Sequence, residues 1–139
     1  MRFPRWTFFV MMAICGAGAP LAGAQSLDFE TYRTKVEPIF LQKRPGHARC
    51  VVCHEASNSR FHLQARPKEG ESWTEADSRK NFESVSKLVV PGHPEKSRLL
   101  LHPLAHDAGG DLFHNGGEQF TSKDDPDWKI IAAWVGTGK

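Results

Sequence analysis

The stretch "HARCVVCHEAS", His47 to Ser57, carries Cys50 and Cys53 with a histidine, His54, directly after the second. Three chemistries use a C-x-x-C spacing: a redox dithiol, half of a zinc site, and covalent attachment of a cofactor. The rest of the chain decides among them.

The N-terminus reads as an export signal. "MRFPRW" supplies Arg2 and Arg5, "TFFVMMAICGAGAPLA" is apolar, and "AGA" ends at Ala24. A positive segment, an apolar core and small residues before a cut is the order of a secretory leader. The apolar run is short for a membrane span and is broken by glycines and Pro20, so residues 1–24 are expected to be removed rather than to anchor the chain. Cys15 follows Ile14, whereas lipoprotein signals want a small residue there. The expected mature domain is 25–139, exported to the periplasm and with no integral span.

Three consequences follow from losing the leader. The 18 basic residues of the whole chain fall to 16 without Arg2 and Arg5, against 16 acidic ones. No basic excess remains to suggest a nucleic-acid partner. Cys50 and Cys53 become the sole cysteines, and Met1, Met11 and Met12 depart, leaving no methionine.

The mature part reads as a small all-α domain with long irregular connections. "SLDFETYRTKVEPIFLQK" has Phe29, Tyr32, Val36 and Phe40 on one helical face, Ser26 or Asp28 as cap, and Pro38 as a kink or restart. "RPG", Arg44 to Gly46, should end it. "NSRFHLQARPKEGES" reads as loop, with a short apolar alternation at Phe61 and Leu63. "WTEADSRKNFESVSKLVV" predicts a helix capped by Thr74, with Phe82, Val85 and Val89 inward. A turn at Pro91-Gly92 and a short helix from Pro94 to Pro103 come next. "DDPDWKIIAAWVG" is the clearest helix, with Asp125 as cap, Pro126 at the first position, a stripe of Trp128, Ile131, Trp134 and Val135, and Gly136 as stop. So short a chain with such long loops wants a staple: a disulfide, a metal or a large cofactor.

"CVVCH", Cys50 to His54, matches the C-x-x-C-H signature of c-type haem attachment. Two thiols three positions apart reach two vinyl groups of one haem as thioethers, and the adjacent His54 supplies the proximal iron ligand. The alternatives are weaker. A thioredoxin-like motif belongs near a βαβ pattern, which is absent. Structural zinc takes four ligands, and no second paired motif accompanies the first. A Cys50–Cys53 disulfide closes a tiny loop of little stabilising value.

With those residues in view, "YRTKVEPIFLQKRPGHARCVVCHEAS" resembles the opening of a class I c-type cytochrome domain, and especially the short monohaem cytochrome c domains of Planctomycetes and Acidobacteria proteins. "PGHPEKSRLL" and "DDPDWKIIAAWV" resemble later segments of that group. The resemblance implies a cytochrome c-like fold, with N- and C-terminal helices crossed beside one covalent haem c. It implies an electron-transfer protein rather than an enzyme, passing single electrons between periplasmic redox partners.

The chain departs from the family at the iron's far side, where class I domains place a methionine. Loss of that ligand predicts a lower potential. His114, in "GGDLFHNGG", falls where the distal methionine would, and its flanking glycines can let backbone approach a flat cofactor. We expect His114 as the distal ligand, giving bis-histidine ligation. His102 is the runner-up, with packing in the core as its bland reading, and an open site comes third. His47, His62, His93 and His106 read as surface or badly placed. Phe29, Phe40, Trp128, Ile131 and Trp134 read as core around the haem rather than as propionate partners. Lys43, Arg44, His47 and Arg49 read as a solvated face in preference to a docking rim. Two other functional readings stand beside the carrier: a five-coordinate haem protein that binds or senses a small gas or reduces peroxide, and a haem relay subunit of a larger redox complex.

Overall fold

The computed structural model describes residues 26–56 and 58–138. The expected leader, 1–24, and with it the cleavage point, lies outside the described residues. Among the described residues the chain is helical and has no sheet; a single parallel bridge joins Leu104 and Phe120. No helix there is long and apolar enough to cross a membrane.

The first helical run shows what a proline does to a ladder. Asp28 caps it, accepting from the Thr31 amide at 2.6 Å. One α turn, Phe29–Thr31, passes into a π segment, Tyr32–Val36, and then a 3-10 segment, Glu37–Leu41. Pro38 has no N–H for an α-type bond to Thr34. The chain answers by widening, so that the Glu37 amide reaches Tyr32 O, and then by tightening. Helical structure stops at Leu41, ahead of Arg44 to Gly46, where the sequence had placed its end.

The Glu75–Ser86 helix starts under Thr74, whose hydroxyl accepts from the Asp77 amide at 3.2 Å. Pro94–Lys96 is a 3-10 turn leading into the Arg98–Leu101 helix. The last helix, Pro126–Gly136, begins on the Asp125 cap with Pro126 at its first position, and its final residue is Gly136 itself. The alternation at Phe61 and Leu63 forms no strand; Leu63 is buried in the core and its amide bonds the His54 carbonyl at 3.1 Å.

The first and last helical segments meet through aromatic rings. Tyr32 and Trp134 are both fully buried, with centroids 5.5 Å apart, and Phe82 joins Tyr32 edge-on at 5.3 Å. Trp134 Nε1 donates to Asp28 O at 2.9 Å, tying the cap of the first described helical run to the last helix. Phe40, Ile131 and Trp134 are core, as the apolar stripes indicate; Phe29 and Trp128 are partly buried against it.

One polar element sits inside this core. Glu37 is 3 % exposed and accepts from Ser78 Oγ at 2.6 Å, Asn81 Nδ2 at 3.0 Å and Tyr32 Oη at 3.4 Å. A buried carboxylate is costly unless its lone pairs are filled, and these donors fill them from two different helical segments. Burial first, and the neighbouring Glu37 charge second, push the Tyr32 hydroxyl far above the ordinary tyrosine range, so it remains a donor.

Asp125 offers a test of the capping argument. Burial opposes its charge, but the Arg44 guanidinium and the Trp128 and Asp127 amides outweigh it and hold the carboxyl below the usual carboxylate range. A depressed folded-state value means stability that is present above the unfolded pKa and is lost as pH falls through the folded one. We therefore expect Asp125→Ala to lower unfolding free energy by roughly 1–2 kcal/mol at pH 7, with the gap to wild type closing below about pH 4. Urea denaturation at both pH values checks this; an equal gap at both would show that the cap's charge is irrelevant.

Candidate functional site

The Cys50–His54 segment folds as one α-helical turn. Residues at i, i+3 and i+4 share a helix face, so Cys50, Cys53 and His54 lie together. Val51 points the other way and is fully buried in the core, which fixes the turn's rotation. Cys50, Cys53 and His54 all line a cavity of about 800 Å³, within the ~300–1,000 Å³ range of sites for small molecules and cofactors. His102 and His114, more than forty residues downstream, line the same cavity.

The hydrogen bonds of these histidines settle their tautomers. His54 Nδ1 lies 2.9 Å from Phe61 O. A carbonyl oxygen only accepts, so Nδ1 must carry a proton. Burial is the main influence lowering the His54 pKa, with His114 and His102 adding to it and the Phe61 carbonyl opposing. His54 is then neutral at pH 7, with its lone pair on Nε2. This is the state of an imidazole ready to ligate a metal, its other nitrogen held by a backbone acceptor. The Phe61 ring also packs against the imidazole, tilted by 35° with centroids 4.1 Å apart.

His114 is anchored in the same way: Nδ1 lies 2.6 Å from Gly117 O. His102 Nδ1 lies 2.8 Å from Asp111 Oδ2; the Arg98 guanidinium is 3.5 Å from both that nitrogen and that carboxylate, and the shorter contact to the acceptor is the one that places the proton on Nδ1. The His102 and His114 rings meet edge-on, centroids 4.7 Å apart. His102 is therefore half-buried at a cavity wall and not packed in the core. His93 and His106 are exposed, and His62 is exposed too. His47 lies beside Gly117 and outside the cavity lining.

The loop glycines have a different reason from the one their spacing suggests. A Cβ on Gly110 would fall 1.9 Å from Leu104 O. Gly110 is needed for one stretch of backbone to pass another, not for approach to a ligand. A Cβ on Gly116 would fall 3.0 Å from His114 Cε1, so this glycine leaves room for the histidine ring.

The cationic cluster before the cysteines is not simply a solvated face. Arg44 is 17 % exposed and forks onto Asp125 at 3.0 Å and onto Asp127. It also donates to Gln119 O at 3.2 Å and lies over the Phe120 ring. Lys43 donates to His47 O at 2.7 Å. Arg44 thus binds the approach to the cysteine turn, the end of the His114 loop and the start of the last helix. Two polar atoms of cavity-lining residues are buried without a hydrogen-bond partner, Arg49 Nε and Gln119 Oε1. Trp134 Nε1 is taken by Asp28 O; Trp128 Nε1 is buried without a partner, and Trp128 does not line the cavity.

The thiols are unequal and unbonded to each other. Burial pushes the Cys50 thiol up to about 11, opposite to the lowered value of a redox or nucleophilic cysteine. Among the described residues no three His, Cys, Asp or Glu side chains converge as a cage for a bare metal ion, so the geometry lends no support to the zinc alternative. No protein-family profile, characterised protein or solved structure matches the chain.

Sequence reasoning missed Asp111, Arg44 and Phe61 as parts of this site. Only Asp111 left a signal, a carboxylate three residues before His114 in the glycine-rich loop.

Two tests follow. In chain prepared without a bound group, iodoacetamide at pH 8 should label exposed Cys53 and leave Cys50 unmodified until pH nears about 11; peptide mass spectrometry reads both, and equal labelling at pH 8 contradicts the burial argument. Arg44→Lys keeps the charge and loses the fork. We expect it to cost about 1–3 kcal/mol of unfolding free energy, a loss that Arg49→Lys, outside the clamp, should not reproduce.

Proposed function

We propose that the chain is an exported monohaem c-type cytochrome that carries single electrons between periplasmic redox partners. The observation that carries this reading is the cavity of about 800 Å³ lined at once by Cys50, Cys53 and His54, with His54 neutral and its Nδ1 held by the Phe61 carbonyl. The residues present fit a haem. Two thiols and an imidazole share one helix face, and a neutral Cys50 thiol suits addition to a vinyl group. The buried Arg49 Nε, without a protein partner, suits a propionate. The helical, sheet-free architecture of the described residues, with the first and last helical segments in contact at Tyr32 and Trp134, is compatible with the cytochrome c-like fold that the sequence resemblance implies.

On this reading Cys50 and Cys53 hold the haem through thioethers and His54 supplies the proximal nitrogen. His114 supplies the distal one, with His102 as its rival. The bound haem supplies one-electron chemistry, and the protein sets its potential through those ligands. Imidazole in place of methionine lowers that potential.

One observation favours a second reading. His102 lines the cavity and its Nδ1 is held by Asp111, 2.8 Å away and behind the wall, which makes an imidazole–carboxylate pair beside the cavity. That pair suits a five-coordinate haem protein that binds a small gas or reduces peroxide.

For the carrier, the purified protein should give a low-spin visible spectrum that ignores carbon monoxide. Its denatured mass should include one haem, and the pyridine haemochrome should report two thioethers. Cys50→Ala or Cys53→Ala should leave one thioether, and the double variant none. A high-spin form that binds carbon monoxide selects the second reading, and a mass without haem rejects both.

A further inference from the structure

The cavity holds two imidazoles beyond His54, and they are prepared alike. His102 and His114 each commit Nδ1 to an oxygen that can only accept, Asp111 Oδ2 at 2.8 Å and Gly117 O at 2.6 Å. In the neutral form each therefore keeps its lone pair on Nε2. The rings are 4.7 Å apart, and both residues line the cavity that Cys50, Cys53 and His54 line. Two donors this close are within a small shift of serving one position.

Resting on the haem reading above, we propose that His102 and His114 are alternative distal ligands, either able to take the iron's sixth position when the other is absent. They differ in what stands behind them. His102 follows the Arg98–Leu101 helix, beside buried Leu99 and Leu100, and its partner is a carboxylate. A carboxylate makes the ligating imidazole more basic and favours the oxidised metal. His114 lies on a loop between the exposed side chains of Leu112 and Phe113 and the glycine pair Gly116-Gly117, and its partner is a neutral carbonyl. The His102-ligated form therefore has the lower reduction potential. The choice of ligand sets the potential.

The test uses holoprotein of wild type, His102→Ala, His114→Ala and the double variant, each first assayed by pyridine haemochrome. A wild type without thioether-linked haem removes the haem reading itself, and this inference with it. With haem present, the variants judge the inference alone. Both single variants should stay low-spin by visible and electron paramagnetic resonance spectra, with His114→Ala at the lower midpoint potential. The double variant should become high-spin and return to low-spin on adding imidazole. One single variant turning high-spin while the other does not would show one fixed ligand and overturn the proposal. So would a double variant that stays low-spin, a wild type that is already high-spin, or equal potentials in the two single variants. Where an alanine variant fails to fold, His102→Gln and His114→Gln serve in its place under the same criteria.

Discussion

Arg44 is the residue on which the arrangement of the site depends. Its guanidinium forks onto Asp125 and Asp127 at the start of the last helix, donates to Gln119 O and lies over Phe120. Those contacts span more than eighty residues of sequence. They bring the segment entering the cysteine turn, the segment leaving the His114 loop and the last helix to one point. A planar fork can meet several acceptors at once, and a lysine cannot. Because the cluster is largely buried, its charges are worth more than a surface pair and cost more when left alone.

The second constraint is the pairing of buried polar atoms. Glu37 would be a liability in the core without Ser78, Asn81 and Tyr32 around it. With them it locks the first helical run to the Glu75–Ser86 helix. Asn81 extends the lock by accepting from the Gln64 amide at 2.7 Å, on the irregular segment that leads back to Phe61. Phe61 in turn fixes the His54 ring. A core carboxylate and a cavity histidine are thus connected by hydrogen bonds as far as Gln64, by the backbone from Gln64 to Phe61, and by the Phe61 contacts with His54. The site is rigid there for the same reason that the core is.

Much of the local structure is legible in the chain. Asp28, Thr74 and Asp125 cap helices because short side-chain oxygens reach amides two or three residues on, and such contacts need no tertiary information. Pro38 disturbs its helix as a residue without an N–H must. The cysteine spacing groups both thiols with His54, although the helical turn that gives them one face is seen only in the structure. What escaped reading were contacts between segments far apart. Arg44 looked like one of several surface cations, since nothing in "QKRPGHAR" says that two aspartates eighty residues away will meet it. Gly110 looked like a residue opened toward a ligand, yet it clears a backbone crossing with Leu104.

By itself the sequence determined the first, middle and last helical segments with their caps, the break at Pro38, and the grouping of Cys50, Cys53 and His54 in one short motif, but not the α turn that puts those three on one face. These depend on interactions a few residues in range, written in the identity and spacing of the side chains. Only the tertiary structure decided that His102 and His114 enter the same cavity as His54, and that Asp111 and two backbone carbonyls hold the three rings. Those outcomes depend on how a glycine-rich loop folds back over a short helix. The positions of distant acceptors settle that, and no periodicity along the chain encodes it.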